Sequence, residues 1–410
     1  MGLRVRQSYL PPPRLMYTLS FANLHGKRVL MEFQSSRRNF LAAGLALPAF
    51  AAADAKPIGM AHRTLGKTGL KVTPLGFGGR GTTEAGVISR ALDLGINFID
   101  TGRMYANNER MLGTVLKGRR KGVVIAGKTS AKTKEDALRD LETSLRELQT
   151  DYLDIWQLHG KVRPEDVTSE LLDVLQAAKK SGKVRFVGIT THLNVPAMLT
   201  HMLKVGGTDV MLAGFNFTLK PEVAQAIRAA RQAGMGIVAM KVLAGGFARI
   251  QNTAPRFEGS SDALVKTLRQ DGAMTAAIRW VLSHEFVDTS AVAMSDFEQV
   301  EENVKAVAQA YSPSDEKLLN AKMAFLGPIY CRMCGACGGV CDKGVPVPDM
   351  LRFLTYAEGY RDYPLARNSY LELPEKARQI RCADCQACSV HCPNGVEVRA
   401  RLIRAQELLT

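Results

Sequence analysis

Residues 123–159 decide the fold. Val123-Val124-Ile125-Ala126-Gly127-Lys128 is a short apolar run, Lys134–Leu148 is an amphipathic stretch of helical length, and Leu153-Asp154-Ile155-Trp156-Gln157-Leu158-His159 is a second apolar run closed by a polar residue. Apolar runs of this length, rich in β-branched residues and separated by helix-length segments, predict parallel strands joined by crossover helices. Working outward, the same unit recurs at Thr73–Phe77, Asn97–Asp100, Val184–Thr190, Val210–Asn216, Gly236–Lys241 and Thr289–Met294, with Pro164–Ser181 and Pro221–Ala233 among the intervening helices. Eight such units predict an α/β fold, a closed (β/α)8 TIM barrel. His62–Val72, with Gly66 and Gly69, predicts a hairpin ahead of the barrel, and Phe247–Gly272, which has no clear period, predicts a long loop acting as a lid. Chemistry in such barrels sits where strands end, which singles out Asp100, Lys128, His159, Thr190, Asn216 and Lys241.

Of the 410 residues, 46% are hydrophobic and 23% charged, with a formal net charge of +15. That is globular composition, sufficient for a large core and a smaller second domain. No run of Lys and Arg interleaved with aromatics marks a nucleic-acid groove. All eight cysteines lie between Cys331 and Cys392, a clustering that disulfide use does not explain. Cys331, Cys334, Cys337 and Cys341 are spaced C-x2-C-x2-C-x3-C; Cys382, Cys385, Cys388 and Cys392 repeat that spacing, and Pro393 follows the last. The two blocks also share Ala336/Ala387, Gly344/Gly395, Val345/Val396 and Val347/Val398, so the segment is an internal duplication.

The duplication resembles bacterial-type dicluster ferredoxins. The resemblance implies two [4Fe–4S] clusters in a small, mainly α-helical domain over residues 326–410, each cluster held by three close cysteines of one block and the fourth of the other. Cys331, Cys334, Cys337 and Cys392 then form one set; Cys382, Cys385, Cys388 and Cys341 form the second. Asp342 stands where proline is usual. Structural zinc is the alternative, although it favours two separated cysteine pairs. The spacer, with Leu351–Glu358 and Tyr356, Tyr360, Tyr363 and Tyr370, reads as helical packing between the cysteine loops.

At the front, Ser35-Ser36-Arg37-Arg38-Asn39-Phe40-Leu41 precedes an apolar stretch, Leu41–Ala53, too short to span a bilayer and closed by Ala53-Asp54-Ala55. This looks like a twin-arginine signal. It predicts residues 1–55 as a signal peptide, Met31 as an alternative start, a mature chain beginning near Lys56, no stable membrane span after processing, and a periplasmic or otherwise exported location. The twin-arginine route carries proteins already folded around cofactors, which suits a cluster protein.

Between the two lies the barrel domain, residues 56–325, of which roughly residues 62–310 resemble the aldo-keto reductase family. The likeness runs through Gly95-Ile96-Asn97-Phe98-Ile99-Asp100-Thr101, Tyr105, Glu109, Leu112-Gly113, Lys128, Asp151-Tyr152-Leu153-Asp154, His159, Gly188-Ile189-Thr190, Leu243-Ala244-Gly245-Gly246 and Glu301-Glu302-Asn303-Val304. It implies a catalytic quartet of Asp100, Tyr105, Lys128 and His159, in which Tyr105 protonates the alkoxide left by hydride addition. A nearby ammonium, Lys128 paired with Asp100, is expected to bring the Tyr105 pKa down from about 10. It also implies cofactor contacts at Thr190, Thr191, Asn216, Lys241, Ala244, Gly245 and Asn303. NAD or NADP is the implied cofactor, and NAD is favoured: Asp288–Asn303 holds no Lys or Arg to grip a 2′-phosphate, whereas Asp296 and Glu298 are acidic. Two positions depart from the family pattern. Thr190-Thr191 replace the common Ser-Asn, and Leu212 replaces a Gln on the sixth strand.

The expected function is an exported oxidoreductase that interconverts a carbonyl and an alcohol, of sugar or polyol type, with the clusters serving a redox partner protein. The rival is an iron–sulfur electron carrier or redox sensor with an inactive barrel. A third reading keeps barrel chemistry without nicotinamide.

Overall fold

Eight parallel strands close on themselves in the order β10-β11-β12-β5-β6-β7-β8-β9. They are β5 (Leu75–Gly78), β6 (Phe98–Asp100), β7 (Val124–Thr129), β8 (Leu153–Leu158), β9 (Val184–Thr191), β10 (Val210–Gly214), β11 (Gly236–Met240) and β12 (Thr289–Ala293). The computed structural model describes residues 17–22, 28–33, 60–244, 272–359 and 362–410. The chain divides into two units, Met1–Lys56 and Pro57–Thr410. In the first, β1 (Tyr17–Ala22) and β2 (Arg28–Phe33) pair antiparallel, Tyr17 opposite Phe33. The paired arginines, the apolar stretch after them and Phe247–Asp271 of the expected lid lie outside the described residues.

The barrel strands are buried on both faces, which is why they read as continuous apolar runs without alternation. Their outer faces pack on the crossover helices in one large core. The expected hairpin forms as β3 (Arg63–Thr64) against β4 (Lys71–Val72), turning at Gly69 with φ 74°. It seats Leu65, Leu70 and Val72 among inward residues Phe98, Val124, Ile155, Leu212 and Val238, so it plugs the floor of the barrel. Arg63 donates to the Val287 and Leu282 carbonyls, and Gly66 N–H to Asp288 Oδ2 at 3.0 Å.

Helix Lys134–Leu148 begins and ends as expected, because Thr133 caps it by accepting from Asp136 N–H. The single helix expected over Pro164–Ser181 is two: a 3-10 turn Pro164–Asp166 and a helix Ser169–Lys180. Thr168, with its side chain accepting from Leu171 N–H, starts the second piece afresh. Gly113 is needed where helix Asn108–Leu116 meets helix Lys134–Leu148, since a Cβ there would lie 2.3 Å from the Glu147 carbonyl oxygen.

Helix Pro313–Leu326, opened by a capping box between Ser312 and Asp315, packs on helix Ala273–Leu282 and leads out of the barrel into the cysteine segment. There helices Val347–Leu354, Tyr363–Leu371, Glu375–Gln379 and Val398–Leu409 surround a second core of Met350, Leu351, Leu354, Tyr370, Val390 and Leu402. The barrel and this lobe belong to one unit, residues 57–410. No helix among the described residues is long and apolar enough to cross a membrane.

Candidate active site and cysteine clusters

Asp100 ends β6, Lys128 sits near the end of β7, and His159 follows β8. Adjacent parallel strands therefore aim three polar side chains into one end of the barrel. Lys128 Nζ is 2.6 Å from Asp100 Oδ1 and donates to the Thr101 carbonyl at 2.6 Å; both ionised side chains are buried. Gly102 leaves the space this lysine occupies, because a Cβ there would approach Lys128 Cβ to 3.1 Å. The loop after β6 brings Tyr105 over the ammonium, 4.7 Å from the ring centroid and hydrogen-bonded to it. The edge of the Tyr105 ring meets the His159 ring at 83°, centroids 5.8 Å apart. Ser130 Oγ lies 3.3 Å from His159 Nδ1. The structure thus brings Asp100, Tyr105, Lys128 and His159 together.

The electrostatics differ in one respect from the expectation. Burial raises the Tyr105 phenol; Lys128 opposes that rise and Asp100 adds to it, and the net displacement is upward. Burial pulls Lys128 down, but Asp100 and Tyr105 outweigh it and the ammonium is held. Burial pushes Asp100 up against the pull of Lys128. The charged pair is the form we assign, since a neutral Lys128 would leave the Asp100 carboxylate alone in a buried site. Burial first, then repulsion from Lys128, Arg80 and Lys161, lowers His159 to about 3. A neutral imidazole orients and polarises a carbonyl oxygen; it does not donate as an imidazolium.

Two results follow. Lys128→Met leaves Asp100 buried and unpaired, so a loss of about 3–5 kcal/mol is expected in urea unfolding. For His159, the folded pKa of about 3 lies below the unfolded value of about 6.5. As pH falls through 6.5 the unfolded chain takes up the proton first, so the contribution is complete above 6.5 and lost toward 3. Melting temperature should fall with acidification below pH 6.5, and His159→Gln should flatten that slope.

The remaining predicted contacts are placed as follows. Thr190 Oγ1 accepts from Gly160 N–H at 2.6 Å, and Thr191 donates to the Leu193 carbonyl at 2.9 Å. Asn216 is built into a turn: its Oδ1 accepts from Thr218 N–H and hydroxyl, and its Nδ2 donates to the Lys241 carbonyl at 3.0 Å. Lys241 and Ala244 adopt left-handed backbone, φ 58° and 46°. Ala244 packs on Leu326, Ile329 and Tyr330. Asn303 is buried on helix Phe297–Val307, whose first turn carries Glu298 behind the capping Asp296. Gly245 lies outside the described residues. Leu212 lies in the barrel floor cluster.

Two arginines at the mouth, Arg80 and Arg352, carried no local signal. Arg80 lies 5.8 Å from the Tyr105 ring and 6.0 Å from the Tyr356 ring, and bridges to Asp362 of the cysteine lobe at 2.6 Å. Arg352 donates to the Tyr356 hydroxyl at 3.0 Å and pairs with Asp349. Lys241 Nζ is 5.7 Å from the Tyr356 ring and 2.8 Å from Met333 Sδ. Tyr370 packs in the lobe core as the spacer reading has it, Tyr363 is exposed, and Tyr360 lies outside the described residues. Tyr356 packs in that core as well, and its ring also meets Arg80 and Lys241 of the barrel and Arg352 of the lobe. A cavity of about 150 Å³ lies between barrel and lobe, lined by His192, Lys241, Tyr330, Met333, Cys334 and Asn394.

The cysteines gather across the duplication. Burial raises Cys331 to about 12 and Cys337 to about 11; Cys334 and Cys392 are the neighbouring thiols that add to each rise. Burial raises Cys382 to about 11, and its thiol neighbours are Cys385, Cys341 and Cys388. Each set therefore takes three cysteines from one block and one from the other. Thiolates massed in a partly buried site would repel one another, which adds to the effect of burial. Among the described residues no three His, Cys, Asp or Glu side chains converge on a point suited to one metal ion.

A closed eight-stranded parallel barrel with a buried Lys–Asp pair beneath a tyrosine and a neutral histidine is the framework of a carbonyl-reducing oxidoreductase. Residues 82–323 match the model of the aldo/keto reductase family. The chain belongs to that family and is an oxidoreductase of the NAD(P)-dependent kind. It is 29% identical over 303 residues to L-galactose dehydrogenase of Arabidopsis thaliana, covering 65% of this chain and 94% of that one. It is 30% identical over 263 residues to 6-dehydroglucose reductase of Novosphingobium aromaticivorans, covering 56% and 84%. Among solved structures, the holo form of aldo-keto reductase AKR11C1 from Bacillus halodurans superposes with TM-score 0.54 at 27% identity, covering 64% of this chain and 96% of that one.

Proposed function

We propose that this protein oxidises or reduces a sugar-type substrate at the carbonyl/alcohol level with a nicotinamide nucleotide, carries two [4Fe–4S] clusters on its eight cysteines, and is exported by the twin-arginine route. The observation that carries the catalytic reading is the buried Lys128–Asp100 pair at 2.6 Å under Tyr105, with His159 against the ring. Thr190, Thr191, Asn216, Lys241, Ala244 and Asn303 would hold the nucleotide, which when bound would supply hydride chemistry at the carbonyl carbon. In reduction, Tyr105 gives its phenolic proton to the alkoxide, and the Lys128 ammonium stabilises the phenolate that remains. Asp100 holds Lys128 in place. Neutral His159 orients the carbonyl oxygen through a ring N–H. Oxidation runs the same proton transfer in reverse.

Sugar chemistry is supported by the two relatives whose names specify galactose and a dehydroglucose. NAD is favoured over NADP because Asp296 and Glu298 open the helix bearing Asn303, where a 2′-phosphate would meet repulsion. Cys331, Cys334, Cys337 and Cys392 would hold one cluster and Cys341, Cys382, Cys385 and Cys388 the other, each supplying one-electron chemistry when loaded and serving a redox partner protein. The exported location rests on Arg37-Arg38 and the apolar stretch behind them.

A second reading, an iron–sulfur carrier or redox sensor with an inactive barrel, draws on one observation: the Thr190 and Thr191 hydroxyls are already engaged by the chain. Anaerobically purified, iron-loaded protein assayed for NAD-linked oxidation of galactose and glucose derivatives separates the two. NAD-dependent turnover with slower use of NADP is expected. Iron-loaded protein that turns over none of them with either nucleotide would favour the carrier.

A further inference from the structure

The two cysteine sets are related by duplication, yet their surroundings are not. In the first, Met333 sits between Cys331 and Cys334 in left-handed backbone, φ 53°. Its carbonyl accepts the Asn194 N–H at 3.0 Å, and its sulfur lies 2.8 Å from Lys241 Nζ just past β11. The residue that replaces it in the second block is Asp384, which is exposed. Asn394 is buried and donates from Nδ2 to Cys334 Sγ at 3.4 Å, while its Oδ1 accepts from Arg332 at 3.3 Å, which fixes which way the amide points. Its counterpart in the first block is Lys343, which is exposed. Cys334 and Asn394 line the same cavity as His192 and Lys241 of the barrel. The pocket beside the second set is lined by residues of the cysteine lobe alone, Lys343 and Arg399 among them; Arg399 holds the Ala383 and Cys385 carbonyls at 3.0 and 2.9 Å.

We propose that the sets are unequal stations: the Cys331/Cys334/Cys337/Cys392 site is the barrel-side one, whose electrostatics are set by the barrel mouth through Met333 and Lys241, and the Cys341/Cys382/Cys385/Cys388 site is the lobe-side one, surrounded by residues of the cysteine lobe alone and serving an external redox partner. The inference rests on the iron–sulfur reading above. Adding an electron to a cluster adds negative charge, so a polar N–H group aimed toward it, a nearby cation or an N–H donated to its thiolate raises its potential. Lys241→Met, in the barrel, and Asn394→Leu, in the cysteine lobe, should therefore lower the same one of two potentials, and Arg399→Met should lower the other.

The test is a spectroscopically monitored redox titration of the anaerobically purified full chain and the three variants. Each variant is expected to change one reduction equilibrium about tenfold, or ~59 mV for one electron, and to leave the second unmoved. That unmoved potential also reports that the lobe has folded. Lys241→Met moving neither potential, or moving the one that Arg399→Met moves, would overturn the inference while leaving the clusters in place. Protein that binds no iron would overturn the cluster reading itself.

Discussion

Tyr105→Phe is expected to lower kcat by about 10²- to 10⁴-fold, the range for loss of a positioned proton donor. The phenyl ring keeps the edge contact with His159 and the stacking over Lys128, so binding and fold are preserved. What disappears is the one hydroxyl hydrogen-bonded to the Lys128 ammonium in a site where burial has already raised the phenol. KM should change little, since a group needed only when the alkoxide develops acts on the transition state alone. Steady-state kinetics with NAD and a sugar substrate check this, and a kcat within threefold of the parent would remove Tyr105 from the chemistry.

On the proposed cluster assignment, Cys392→Ala should empty one iron–sulfur site and spare the other, so iron and sulfide fall by about half. The informative step is the pair. If Cys392 completes the set of Cys331, Cys334 and Cys337, then Cys334→Ala with Cys392→Ala removes no more iron than either alone, because both act on one site. Combining Cys385→Ala with Cys392→Ala should empty both sites. Ligation confined to each block predicts the reverse, and iron analysis of the two double variants distinguishes them.

Much of this architecture is legible in the chain. Barrel strands are buried on both sides, so Val123–Lys128 and Leu153–His159 stand out as apolar runs, and each observed strand starts or ends within one residue of its run. Helix Lys134–Leu148 is legible because its own residues and Thr133 fix its ends. The break at Thr168 was missed because a helical period runs through Pro164–Ser181, and only the capping bond of Thr168 to Leu171 N–H decides where the helix restarts. Asp100, Lys128 and His159 were legible as polar residues at strand ends, whereas Tyr105 as their fourth member and the crossed cysteine sets came from the family resemblances. What could not be read is how the cysteine lobe closes over the mouth. Arg80 meets Asp362 and Lys241 meets Met333 across 282 and 92 residues, and such contacts leave no local period or propensity behind. The direction of the Tyr105 shift was missed for a related reason: a sequence shows that Lys128 is near but not how deeply the phenol is buried.

The account joins a nicotinamide-dependent barrel to two iron–sulfur sites on one chain, and native mass spectrometry of the anaerobically purified protein tests that most directly. It predicts a single species whose excess over the polypeptide equals two Fe4S4 units and, when NAD is added, one NAD. A polypeptide bearing no iron, or bearing zinc in place of the clusters, or failing to retain NAD while retaining both clusters, would contradict it.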